Sequence, residues 1–305
     1  MFIFIIILYA LFHLRNSSEK GNKKIYLDKY EVNIYENIKK KLLSKNCSRM
    51  WSNQREFLNG VVRKFRPKKI IELGVAEGGS SSIILNAIND IKNSHLYSID
   101  LSTHHLIGSC VKNLFPNLLN KWSLYTGYTA SKFVEKIGGG IDMAFLDTSH
   151  FEPGEILDFL IILPFLNKGA VVVFHDIGNQ ITASKGKRHR REFAPYLIFN
   201  IIRGKKFLPS GKGILTKDIG AIKLEKNQEK YINDYFRALG GQWEYLPEEK
   251  DIYIIKELFK KYYNKECLIM FEEAISFNRI FLKNNPMYKS NKYKFSLSFY
   301  KHKHK

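Results

Sequence analysis

Apolar positions along this chain fall into short unbroken runs separated by segments of helical spacing, and their order predicts strands and helices in turn. Ile70, Ile71 and Leu73 lead into glycines at 74, 78 and 79, the pattern of a buried strand entering a turn. Ile83, Ile84, Leu85, Ala87 and Ile88 then repeat as a helix, and His95 to Leu101 reads as a second buried strand ending in an acid. Trp122 to Gly127 fits a third strand and Ala130 to Ile137 the helix after it. Two further buried strands, Ile141 to His150 and Gly169 to Ile177, flank a helix from about Pro153 to Leu166, and Ile219 to Leu224 reads as a short closing strand. Upstream, Asp28 to Leu43 and Gln54 to Phe65 have the spacing of amphipathic helices, and from about Asn227 onward the pattern is helical again. Strands that alternate with helices make right-handed crossovers, so the expected fold is α/β: a doubly wound, mostly parallel seven-stranded sheet with helices on both faces and helical additions at both ends.

The glycine turn is the most specific feature. A parallel strand that ends in glycines and opens a helix lets the backbone approach a ligand closely, and the free N–H groups of the first helical turn add donors. A dinucleotide site wants Gly-x-Gly-x-x-Gly, whereas here Gly74 is followed only by Gly78 and Gly79, with Glu72 in the strand and Glu77 and Ser80 in the turn. Asp100 lies 26 positions after Gly74. At the carboxyl end of the neighbouring strand it is placed either to accept hydrogen bonds from both ribose hydroxyls of a nucleoside cofactor or to cap a helix beginning near Thr103. With strand order 3-2-1-4-5, the carboxyl ends of strands one, two, four and five surround one crevice, so Gly74, Asp100, Asp147 and Asp176 are expected to meet there.

Glu-x-Gly-x-x-x-Gly-x-Ser at residues 72–80 resembles motif I of class I S-adenosylmethionine (SAM) methyltransferases. Further on, a strand followed by Asp147-x-x-His150, an acidic helix, then Leu-x-x-Gly-Ala, an apolar run and His175-Asp176 resembles a bacterial family. That family includes macrocin-type and rhamnosyl-type sugar O-methyltransferases and proteins labelled cephalosporin hydroxylase. The resemblance spans roughly residues 50 to 225 and implies a Rossmann-like SAM-binding methyltransferase domain over 67–225. It also implies the methionine of SAM over Gly74 to Gly79, the ribose against Asp100 and the adenine near Gly127 and Tyr128. Asp147 borders the cofactor, and Asp147, His150, His175 and Asp176 face the transferable methyl group. The implied reaction is methylation of an oxygen on a sugar or other small hydroxylated metabolite, in surface-glycan or natural-product synthesis.

An alcohol acceptor needs its proton removed or made more acidic, by a histidine or carboxylate base or by a divalent ion such as magnesium held by Asp147 and Asp176. In related metal-dependent methyltransferases the fifth strand ends in two acidic or amide groups; here the first is His175, which makes His150 or His175 an alternative base. Each histidine also has a structural reading at the sheet edge. Two rivals remain open: a SAM- or nucleoside-binding module without turnover, and an RNA methyltransferase. An Asn/Asp-Pro-Pro-Tyr motif is absent, and no two-histidine, one-carboxylate iron triad with barrel spacing is visible.

Composition changes this picture in three places. The net charge of +20 favours anionic partners, but the lysines are scattered rather than interleaved with spaced aromatics, so a small-molecule or glycan acceptor is expected in preference to nucleic acid. The basic run from Lys185 to Arg191 follows the fifth strand and suits an acidic sugar or nucleotide-sugar phosphate, or else is simply solvated. Cys47, Cys110 and Cys267 are far apart and fit neither a disulfide framework nor a zinc site, which predicts a reducing compartment. Residues 2–14 are almost wholly apolar, yet as a helix they reach only about 20 Å against a hydrocarbon core of about 30 Å. Arg15, Lys20, Lys23 and Lys24 follow, which would hold the domain on the cytoplasmic face if the leader met a membrane. The expected divisions are a leader and basic linker at 1–24, a helical cap at 25–66, the 67–225 domain, and a helical extension with a basic tail at 226–305. Assembly into a homo-oligomer is left open.

Overall fold

The computed structural model describes residues 35–36, 38–42, 47, 50–178, 193–209 and 218–285. Helix α1 (Ser52–Phe65) turns Phe57, Leu58, Val61 and Val62 onto the sheet, and Arg66 after it takes a left-handed backbone that sends the chain into β1 (Lys69–Leu73). The alternation continues through α2 (Gly79–Ala87), β2 (His95–Asp100), α3 (Ser109–Leu114), β3 (Trp122–Thr126), α4 (Val134–Ile137), β4 (Ile141–Leu146), α5 (Gly154–Ile162) and β5 (Leu166–His175). Then come α6 (Ala194–Ile201), β6 (Gly204–Phe207) and β7 (Ile219–Leu224).

The seven strands lie in the order β3-β2-β1-β4-β5-β7-β6, with β1 to β5 parallel and β7 antiparallel to both its neighbours. The winding reverses between β1 and β4. Leu73 is level with Ile99 on one side and Leu146 on the other, and Leu146 with Phe174, so four strand ends open onto one crevice.

Period-two alternation splits the apolar side chains between two cores. Met143 and Phe145 of β4 join the core under α1, α2 and α3; Ala144 and Leu146 join the one under α5 and α6. The second core also takes in the C-terminal helices α7 (Ile232–Arg237), α8 (Glu249–Tyr262) and α9 (Lys265–Asn284). Phe259 packs edge-on against Phe236 and Phe271, with ring centroids 5.1 and 5.0 Å apart. At the other end, residues 35–36 and 38–42 are helical and bury Tyr35, Ile38 and Leu42 against the first core.

Local chemistry moves several boundaries. Pro164 cannot continue an α-helix, so the helix expected to reach Leu166 ends at Ile162 and tightens into a 3-10 turn over Leu163–Phe165. The segment from Ala130 divides into a 3-10 turn, Ala130–Lys132, and one helical turn at α4. Strand β6, with Gly-Lys-Lys-Phe, carries no apolar run and forms only because β7 offers it an edge.

The cysteine expectation is corrected: Cys47 and Cys110 form a disulfide, with Cα atoms 5.8 Å apart, while Cys267 is free and buried. Packing of the segment before α1 against α3 brings together two residues separated by 63 positions. The apolar stretch 2–14, the basic run Lys185 to Arg191 and the terminal tail lie outside the described residues. Among the described residues no helix is long and apolar enough to cross a membrane.

Candidate active site

Glu72 has the parity in β1 that faces α2, and it is fully buried. Its carboxylate accepts the hydroxyls of Ser80 and Ser81, in the first turn of α2, at 2.7 and 2.6 Å, and that of Ser98 on β2 at 2.5 Å. Burial pushes this carboxyl up to about 7, against the pull of the three hydroxyls. Glu72 and Ser80, expected at the cofactor, therefore point at each other beneath the turn and brace it. Gly74 has φ +86°, and a Cβ there would stand 1.9 Å from the carbonyl oxygen of Asp147. The crossing of two strand exits demands this glycine, whatever a ligand adds. On the outer side, Gly108 and Cys110 donate their N–H groups to the carbonyls of Ala76 and Glu77, each at 2.8 Å, so α3 holds the turn from Ala76 to Gly78 and Gly79 in place.

Asp100 ends β2 with its carboxylate already engaged. Oδ2 accepts the N–H groups of Val75 and Ala76 at 2.9 and 3.0 Å, and Oδ1 accepts that of Ser102 at 2.8 Å. A carboxylate has about four acceptor positions, so one is left for a ribose hydroxyl in this arrangement rather than the two anticipated. Gly127 donates its N–H to the Asp100 carbonyl at 3.0 Å. Tyr128, 39% exposed, follows it at the same end of the sheet, with the ammonium groups of Lys132 and Lys250 5.7 and 5.5 Å from its ring centre.

The ends of β4 and β5 bring all four remaining candidates together. His150 Nε2 lies 3.0 Å from Asp176 Oδ2 and 3.8 Å from Asp147 Oδ1, while His175 Nδ1 lies 3.4 Å from Asp147 Oδ1 and 3.4 Å from Asp176 Oδ1. His150 and Asp176 both hold left-handed backbones, φ +62° and +57°. Such conformations cost about 1–3 kcal/mol each and persist where the surroundings enforce them. Burial would lower the histidines, but the carboxylates outweigh it: Asp176, Glu155 and Asp147 raise His150 to about 10, and Asp147 and Asp176 raise His175 well above its usual value. The same imidazoles hold Asp176 below the usual carboxylate range despite its burial.

One ligand atom each from Asp147, His175 and Asp176 lies within 4.8 Å of the others. Atoms sharing an ion at bond lengths of about 2.1 Å stand about 3.0–3.4 Å apart, so the two 3.4 Å separations fit a cation with little adjustment. The His175 side chain is only 11% exposed, and its Nδ1 faces the two carboxylates.

Three acids in this site were not anticipated. Glu155, fully buried in α5, accepts the main-chain N–H of His150 at 2.7 Å and lies 3.3 Å from its Nδ1. Thr148 bridges Glu155 to Asp158, which burial raises to about 7. Asp218, where β7 begins, accepts the N–H of Gly178 at 2.6 Å and is raised to about 7 by burial and by Asp176. The available signal was the pair of acids, Glu155 and Asp158, inside an otherwise apolar helix; Asp218 left none.

Residues 71–177 match a family model described as a methyltransferase domain, which takes in the turn, Asp100, Asp147 and the His175-Asp176 pair. Strand order and family match together support a class I, SAM-dependent type of methyltransferase domain over this segment. The narrower sugar O-methyltransferase resemblance has no counterpart in that match. No curated protein matches the sequence. Among solved structures, the chain is similar to the O-methyltransferase of Bacillus cereus in complex with SAH, with 16% identity and a TM-score of 0.48, covering 72% of this chain and 99% of that one. It is also similar to TomG of Streptomyces achromogenes, an O-methyltransferase of tomaymycin synthesis in complex with SAM, with 15% identity, a TM-score of 0.45, and 70% and 95% coverage.

Proposed function

We propose that this protein transfers the methyl group of SAM to a hydroxyl oxygen of a small acceptor, with a divalent cation held by Asp147, His175 and Asp176. The observation that carries the reading is the convergence of those three side chains at the ends of β4 and β5, next to the glycine turn that ends β1. SAM lies along Gly74 to Gly79, its ribose at Asp100 and its adenine beside Gly127 and Tyr128. When bound, the cation makes an acceptor hydroxyl more acidic. The chain's own residues align the acceptor with the methyl group and keep the ligands in register. His150 does the latter, through Asp176 on one ring nitrogen and Glu155 on the other. A histidine acting alone as base fits less well, because His150 Nε2 faces Asp176 and Asp147, whose carboxylates favour its protonated form.

The acceptor in this reading is a sugar or similar polyhydroxylated metabolite. Supporting it are the resemblance of the Asp147-x-x-His150 and His175-Asp176 segments to sugar O-methyltransferases and the basic run that follows β5. The test is label transfer: purified protein with methyl-labelled SAM and a panel of sugars and nucleotide sugars. Label should appear in an acceptor, vanish with EDTA and return with added divalent cation. Transfer indifferent to EDTA would return the chemistry to a histidine. Binding of SAM without transfer to any acceptor would favour the binding-module reading.

A further inference from the structure

We infer that this centre selects a first-row transition metal dication over magnesium, and that His175 is the residue that makes the choice. The inference rests on the reading of Asp147, His175 and Asp176 as cation ligands and goes further by naming the ion's class. Adjacent residues on a strand point to opposite faces, so a ligand pair at 175–176 cannot serve one ion from regular extended backbone. The left-handed turn at Asp176 solves this, bringing its carboxylate back to within 3.4 Å of His175 Nδ1. Asp147 Oδ1 completes the set at the same distance from that nitrogen. The His175 side chain is only 11% exposed, and its Nδ1 faces both carboxylates at 3.4 Å.

The donor set decides the ion. Magnesium is a hard cation that takes oxygen ligands, whereas an imidazole nitrogen suits iron, nickel, copper and zinc, and affinity for nitrogen- and oxygen-ligand sites generally rises from manganese through iron, cobalt and nickel to copper, with zinc below copper. Asp176 is kept available as a single-oxygen ligand because its Oδ2 is taken by His150 Nε2 at 3.0 Å, leaving Oδ1 for the ion. One nitrogen and two single oxygens form a small mixed set, the kind that discriminates against magnesium.

Calorimetry on the chelator-stripped full-length protein tests this without any acceptor. Cobalt(II) and magnesium chlorides are titrated separately into wild type, His175→Asp and Asp147→Asn. Wild type should bind one cobalt about 100-fold more tightly than magnesium. His175→Asp should shrink that ratio at least about tenfold, chiefly by tightening magnesium, and Asp147→Asn should weaken both ions alike. A ratio unchanged by His175→Asp overturns the inference while leaving a cation site standing, whereas no cobalt or magnesium binding in wild type overturns the cation reading as well. Electron spin-echo modulation of one equivalent of manganese(II) on wild type provides a check that needs no variant. Coupling to an imidazole nitrogen is expected, and its absence would also overturn the inference.

Discussion

Asp100 holds three main-chain N–H groups, two of them in the glycine turn, which joins the proposed ribose site to the stability of that turn. Asp100→Ala should therefore weaken SAH binding by roughly 1.5–3 kcal/mol, the range for a hydrogen bond to a charged group, and also lower the melting temperature. Calorimetry and a thermal melt check the two halves; unchanged affinity would remove Asp100 from the ribose site. Glu72 carries a pH signature. Its carboxyl lies near 4.5 when free and at about 7 in the fold, so the neutral form contributes stability that is complete below about pH 4.5 and lost as the pH rises to about 7. Glu72→Gln should flatten the decline in urea stability across that window, by up to about 1.4 kcal/mol per pH unit relative to wild type. Parallel curves would contradict it. Gly74, Asp100, Asp147, His175 and Asp176 were legible because each marks the end of an apolar run. The inward roles of Glu72 and Ser80 were not, since an acid before a glycine turn looks the same whether it faces ligand or serines.

At the scale of elements, α3 matters more than its six residues suggest. Its Cys110, with Gly108 just before the helix, donates a main-chain N–H to the glycine turn, and Cys110 is also the cysteine bonded to Cys47. Cross-linking over a separation of 63 residues stabilises by about 4 kcal/mol on the chain-entropy account. Reduction, or Cys47→Ser, should lower the melting temperature and weaken SAH binding together; a melt indifferent to reductant would show the bond to be dispensable. The pairing was invisible in sequence because nothing local joins residues 47 and 110. Strands β1 to β5 were legible from their apolar runs, while β6 was not, its lysines reading as loop. Helix α9 closes the second core through Phe271, buried against Phe259. Phe271→Ala should cost about 3–5 kcal/mol in denaturant unfolding. A loss below about 1 kcal/mol would mean that the C-terminal helices are only loosely attached.

For the whole molecule, the reversal of winding between β1 and β4 does the positioning. It sets the glycine turn beside a cluster of two carboxylates and two imidazoles drawn from two stretches of chain, 147–150 and 175–176. The order of strands made that neighbourhood readable from sequence. What it could not convey is the inner layer of Glu155, Asp158 and Asp218, because burial and not spacing gives those acids their roles. The central claim is that cofactor and cation occupy adjoining halves of this crevice. The most direct measurement is the anomalous difference map of a crystal grown with SAH and manganese(II). The account predicts a single manganese peak bonded to Asp147, His175 and Asp176, with SAH running from Gly74 to Tyr128 and its sulfur turned toward that peak. SAH bound away from the glycine turn, or manganese bound without those three residues, would contradict it.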